Sequence, residues 1–533
     1  MEVSVIRSSQ TKIGRTKLAC RELGFRNSKA NGVKLLTSRS NISFAQSTKS
    51  KDLRLRFAPR AVQSPPLRSD KSSDFSKRSK SVRLYVGLPL DTVSECNTVN
   101  HARAIAAGLK ALKLLGVEGV ELPVWWGIVE KEASEKYEWS GYLALAEMVQ
   151  NAGLKLHVSL CFHGSKQPNI PLPEWVSRIG ETQPGIFFTD KSGQHYKQCL
   201  SLAVDDLPVL NGKTPVQVYH GFCESFKSTF LPSMGSTIQG ISMGLGPDGE
   251  LRYPSHDRMT KSSRVRGVGE FQCYDQNMLN ILKQHADATG NHYWGLGGPH
   301  DAPSYDRSPN SGNFFKDHGG SWESPYGDFF LSWYSNQLIS HGNRLLSLAS
   351  STFDDADMTI YGKVPLMHSW YRTRSHASEL TSGFYNTSLR DGYEAVAEMF
   401  ARNSCKMILP GMDLADEHQP HESLSSPESL LKQIRTACRK HGVEISGQNS
   451  SVSGAPGGFE QIKKNLSGEN VIDLFTYQRM GAYFFSPEHF PSFTQLVRNL
   501  NKQELDSDDL PREDEAAESL QMSSDSGIQM QTA

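Results

Sequence analysis

The sequence predicts a single (β/α)8 barrel with long βα-loop insertions. Three observations carry that expectation: eight short β-branched apolar runs, helical patterns between most of them, and about 420 residues (81–502) in which to fit them. Two stretches without a clear period, 163–237 and 246–357, are rich in Gly, Pro, Ser and aromatics. Inserted βα loops of that kind build a substrate cleft. A doubly wound open sheet is the alternative arrangement of the same elements.

In chain order the strands are expected over 83–90 (RLYVGLPL), 119–124 (GVELPV), 154–161 (LKLHVSLC), 238–244 (IQGISMG), 359–364 (TIYGKV), 405–410 (CKMILP), 442–446 (GVEIS) and 471–475 (VIDLF). Helical patterns fall at 100–115, 140–152, 275–289, 328–352, 392–403 and 427–440. The alternation of strand and helix implies βα units and a parallel sheet. There is no internal repeat, no GxGxxG after a strand, no P-loop and no Cys/His cluster at zinc spacing, so neither a cofactor nor a metal is expected.

Charge divides the 533 residues into three parts. The whole chain balances 57 Lys+Arg against 57 Asp+Glu, which argues against a nucleic-acid partner. Residues 1–80 carry 19 Lys+Arg, 5 Asp+Glu and 15 Ser without an apolar segment; this reads as a plastid transit peptide, or else a disordered basic arm. Residues 503–533 are acidic and Ser-rich, a disordered tail. No run of 18 apolar residues exists, so no membrane span is expected. The eight cysteines are scattered and form no CxxC pair, as in a reduced protein.

Barrel chemistry sits just past the C-terminal strand ends. There the chain presents Trp125, Trp126, Trp370, Tyr371 and Tyr477, whose flat faces suggest a sugar-binding cleft. Glycoside hydrolysis uses two carboxylates, one donating a proton and one activating water or attacking. Glu250, after a glycine-rich turn and beside Arg252, is the candidate acid; an ion pair with Arg252 is its structural alternative. Its opposite number at the seventh strand is Gln448, an amide. Glutamine has the shape of glutamate but cannot take a proton from water near neutral pH. His300, His318 and His341 lie far apart along the chain and read as surface or packing residues.

The motifs WWGIVE (125–130), GPDGELRYP (246–254), GEFQCYD (269–275), FFLSWYSNQLISHGNRLL (329–346), HASELTSGFYN (376–386) and FTYQRM (475–480) resemble plant beta-amylase, the inverting family that releases maltose from non-reducing ends of α-1,4-glucans. The resemblance runs from about residue 84 to 500. It implies that Glu250 stands at the proton donor's position and Gln448 at the base's. It also implies that His163, Lys363, His368, Asn449 and Arg479 stand where the family holds glucan. The departures matter more. The family's GENA-type motif reads GQNS here. The Asp of D-V-W-W-G is Pro123, and the Thr of the inner loop F-T-C-L-E-M is Pro410. One of the paired tryptophans is Ser369, and the loop of the form H-x-C-G-G-N-V-G-D shrinks to residues 163–169.

These losses touch three separate jobs: activating water, binding the terminal glucose and closing a lid. A missing base alone removes roughly 10²–10⁴-fold in rate. Asp413, Asp416 or Glu417 would replace it only by facing Glu250 at roughly 6.5–9.5 Å. The chain thus resembles the inactive chloroplast beta-amylase-like subfamily, and a non-hydrolysing or nearly non-hydrolysing protein of starch metabolism is expected. Its implied ligands are α-1,4-glucan or maltose, weakly held, and its implied protein partner an active amylase or another starch enzyme. An active exo-hydrolase with a relocated base, and a binding module for another ligand, are the competing functions.

Overall fold

The computed structural model describes residues 82–502 except 258–265, 357, 451–456 and 468–471. The basic leader and the acidic tail lie outside the described residues. Eight parallel strands close into a barrel in which each strand pairs with its sequence neighbours and the last with the first. They are β1 Arg83–Gly87, β2 Gly119–Trp125, β3 Lys155–Cys161, β4 Ile238–Met243, β5 Thr359–Lys363, β6 Lys406–Leu409, β7 Ile445–Gln448 and β8 Leu474–Tyr477. The expected closed barrel is therefore the observed one, and the open sheet is excluded. The last two strands begin three residues later than the sequence suggested.

Register decides which side chains look inward. In β1 and β8 the pairs Tyr85↔Thr476 and Val86↔Tyr477 align, so Thr476 shares the inner face with Tyr85 while Tyr477 looks out toward the helices. Gln448 pairs with Thr476, so it too points into the barrel. At the lower end Tyr85, Tyr361, Ile408 and Leu474 form a small inner cluster. The Tyr85 ring lies across Gly119, where an added Cβ would meet it at 2.6 Å, so no larger residue fits there. The large core lies between strands and helices; β2, buried along its whole length, is typical of a strand covered on both faces.

The outer helices are α1 Ala102–Leu115, α2 Ser140–Asn151, α3 Pro215–Phe230, α4 Gln276–Ala288, α5 Pro325–Phe353, α6 Tyr393–Arg402, α7 Pro427–His441, α8 Gly458–Leu466 and α9 Phe490–Lys502. Helix α3, in the first long insertion, was not expected from the sequence. Its signal was present: Thr214 accepts from the Gln217 amide while the Gln217 side chain bonds back to the Thr214 amide, a reciprocal cap. Asp275 and Ser324 cap α4 and α5 in the same side-chain-to-backbone manner. No helix among the described residues is long and apolar enough to cross a membrane. The seven described cysteines are free thiols.

Candidate active site

Glu250 stands on a turn that the chain makes straight after β4. Gly246, Asp248 and Gly249 all have positive φ (153°, 56° and 76°), which turns the backbone sharply. The turn closes on itself through Gly249 N–H to the Gly246 carbonyl and Glu250 N–H to the Pro247 carbonyl, both 3.0 Å. It is then tied to the end of β5 by Leu251 N–H donating to the Lys363 carbonyl at 2.8 Å. This geometry brings two cations onto one carboxylate: Arg252 Nε lies 2.8 Å from Glu250 Oε2, and Lys363 Nζ 3.2 Å from Oε1. Arg252 also pairs with Asp248. The ion pair with Arg252 and the position at the barrel mouth therefore coexist.

His163, at the start of the loop after β3, joins this group. It is buried, meets Trp125 edge-on at 5.3 Å, and borders Gly249. Its Nδ1 has no hydrogen-bond partner among the described residues. Burial, reinforced by Lys363 and Arg252 against the pull of Asp248, lowers its pKa to about 4, so the ring is neutral. His368, after β5, bonds Ser425 Oγ through Nδ1 at 2.5 Å; burial and the nearby Arg266 lower its pKa to about 4 as well.

Across the barrel the base position is empty of charge. Gln448 ends β7, is 4 % exposed, and its side chain has no hydrogen-bond partner among the described residues. Each of the three carboxylates considered as its replacement is placed elsewhere. Asp413, 5 % exposed, accepts from Ser450 twice, from the amide at 2.5 Å and from Oγ at 2.6 Å. Asp416 accepts from Glu428 N–H at 3.0 Å and Ser426 Oγ at 2.6 Å at the start of α7, and pairs with Arg372 at 3.0 Å. Glu417 is exposed, 3.6 Å from His418.

Two further expected contacts are engaged by the protein itself. Asn449 accepts from Gln478 N–H at 2.6 Å and donates to the Gln478 carbonyl at 2.8 Å, pinning the end of β8. Arg479 Nη1 donates to the Leu88 carbonyl at 2.6 Å. Pro123 occupies the inner face of β2 beside Ser159 of β3, and Pro410 follows the last residue of β6. The shortened loop after β3 folds into a small hairpin, Ser165–Lys166 against Asn169–Ile170, latched by an ion pair between Lys166 and Asp257.

One buried carboxylate escaped the sequence reading. Glu121, two residues before Pro123 on the same face of β2, accepts from Ser159 Oγ at 2.6 Å and from the Gln478 amide. Burial alone would raise its pKa; Arg479, His157 and these hydrogen bonds together bring it below the ordinary value. A lone charge inside an otherwise apolar strand was the available signal, since a buried carboxylate persists only when paired. The rim aromatics also differ from expectation. Trp125, Trp126, Trp370 and Tyr477 are buried, and Trp126 packs edge-on among Phe162, Trp175 and Tyr219. Tyr371 donates to Gln433 Oε1 at 2.9 Å. Their faces pack protein rather than line an open cleft. Among the described residues no group of three or more His, Cys, Asp or Glu could hold a metal ion.

Comparison with known proteins fits this geometry. Residues 85–504 match the sequence model of Glycosyl hydrolase family 14. The chain is 61 % identical to Inactive beta-amylase 9 of Arabidopsis thaliana, over 100 % of both chains. It is 40 % identical to Beta-amylase 1, chloroplastic, of the same plant, over 79 % of this chain and 76 % of that one. The crystal structure of the catalytic domain of beta-amylase from Paenibacillus polymyxa superposes with a TM-score of 0.65 at 25 % identity, covering 79 % of this chain and 98 % of that one.

Proposed function

The chain belongs to glycosyl hydrolase family 14, and from that premise we propose that it is an inactive beta-amylase-like protein which keeps the fold and the acid but cannot activate water. One observation carries this: the inward residue at the end of β7 is the amide of Gln448. An inverting hydrolysis needs a carboxylate there to deprotonate the attacking water, and an amide has no such capacity. Asp413, Asp416 and Glu417, the substitutes considered from the sequence, are engaged by Ser450, by the first turn of α7 and by solvent. The name of the relative at 61 % identity agrees with this reading.

Glu250 then acts as the proton-donor relic, and His163, Lys363, His368, Asn449 and Arg479 mark the remains of the glucan subsites, with Pro123 and Pro410 as lost contacts. The retained mouth binds α-1,4-glucan or maltose weakly, and the protein regulates or scaffolds an active starch enzyme. Its setting is the plastid, a reading supported by the Arg- and Ser-rich leader and by a chloroplastic relative. The test is calorimetry with maltose beside a maltose-release assay on soluble starch. Weak binding without release is expected. Binding of neither maltose nor longer glucans would remove the glucan role and leave a partner-binding protein.

A further inference from the structure

His341 lies on α5, far along the chain from the mouth, yet it contacts the turn that carries Glu250. Its Nδ1 is 2.7 Å from Asp205 Oδ2 and its Nε2 is 3.1 Å from the Leu245 carbonyl oxygen. Both partners are acceptors, since a backbone carbonyl has no hydrogen to give. Each ring nitrogen thus lies within hydrogen-bond reach of an acceptor oxygen, one on the Asp205 side chain and one on the turn. Asp205 is almost wholly buried, and Arg344, one turn further along α5, reaches the same carboxylate at 3.1 Å while holding Asp206 at 2.8 Å. Asp205, Asp206, His341 and Arg344 thus form one group, which meets the mouth at the Leu245 carbonyl.

Leu245 is where the turn begins. Its amide donates to the Gly249 carbonyl at 3.2 Å, so the Leu245 peptide closes the loop that ends in Glu250. The far side of that loop hangs on β5 through Lys363, and the near side hangs on His341. Gly244, just before the turn, donates to the Leu160 carbonyl of β3 at 2.9 Å, so His341 is the side-chain hold on the Leu245 peptide of a turn with three residues of positive φ.

We propose that His341, fixed by Asp205, is a positioning residue of the barrel mouth, tying the start of the Glu250 turn to the outer helix layer. The role is independent of whether the mouth binds glucan. It predicts a local effect: replacing the ring by one of similar bulk without polar atoms loosens the turn and the Asp205 segment and leaves distant helices unchanged. Hydrogen exchange followed by mass spectrometry on the full chain tests it. In His341→Phe, amides within 244–252 should exchange about tenfold faster or more, with α7 unchanged. Unchanged exchange in 244–252, or equal acceleration everywhere, would overturn the proposal. His341→Gln gives a second test should His341→Phe fail to fold. Its amide can still donate to the Leu245 carbonyl, so exchange in 244–252 should stay near that of the wild type, and acceleration there of about tenfold or more would overturn the proposal.

Discussion

Asp413 is one of the three carboxylates considered as substitutes for the lost base, and it is held by Ser450 at two points. The Ser450 hydroxyl donates to Oδ2 at 2.6 Å and the Ser450 amide to Oδ1 at 2.5 Å, with Asp413 5 % exposed. A hydrogen bond to a buried charge contributes about 1.5–3 kcal/mol, so Ser450→Ala, which removes the hydroxyl alone, should destabilise by that amount. At roughly 2.1 cal/mol/K per residue over roughly 400 ordered residues, the unfolding entropy is about 0.8 kcal/mol/K, and the melting temperature should fall by about 2–4 °C. Asp413→Ala should cost about as much or slightly more. Because both variants break the same contact, the double variant should be less destabilised than the sum by about 1.5–3 kcal/mol. Thermal unfolding of the four proteins measures this. Additive effects would refute the clamp and return Asp413 to the pool of free bases; so would Asp413→Asn abolishing a measurable maltose release.

Two other perturbations follow from the same structure. With a folded pKa of about 4 and an unfolded value of about 6.5, His163 binds a proton between these pH values only when unfolded. Wild type therefore loses stability as pH falls through this window, by about 1.4 kcal/mol per unit from this ring, and urea unfolding of His163→Asn should lack that share; parallel pH profiles would contradict the burial argument. Trp126 is fully buried among three aromatic rings and donates to Glu130 Oε2 at 2.6 Å. Trp126→Ala should cost about 3–5 kcal/mol by urea unfolding, and a loss under about 1 kcal/mol would mean that the ring faces an open cleft after all.

The barrel was legible because parallel strands buried on both faces read as continuous apolar runs, and LKLHVSLC or GVELPV can hardly be anything else. The late start of β7 and β8 has a physical cause. Their inner faces carry Ser446, Gln448 and Thr476, polar residues that line the mouth, while the apolar Val443 and Ile472 that drew attention pack outside the strands proper. Glu250 and Gln448 could be found because each ends a recognisable run at a strand tip. What the sequence could not give was pairing across the chain. That Asn449 holds Gln478, that Asp413 holds Ser450, and that His341 reaches Leu245 over 96 positions are facts of closure, invisible to any local pattern. The tryptophans were misjudged for the converse reason: strand-tip position is local, but whether a ring meets sugar or protein depends on the loops folded over it.

The central claim is that an amide at the end of β7 silences the site, and a maltose-release assay on soluble starch with wild type and Gln448→Glu side by side tests it most directly. The wild type should release no maltose. The variant should stay far below active relatives, because Pro123, Pro410 and the latched hairpin remain, though any activity that does emerge should vanish on adding Glu250→Gln. Wild-type turnover within about a hundredfold of active relatives, the low end of what losing a base removes, would contradict the account.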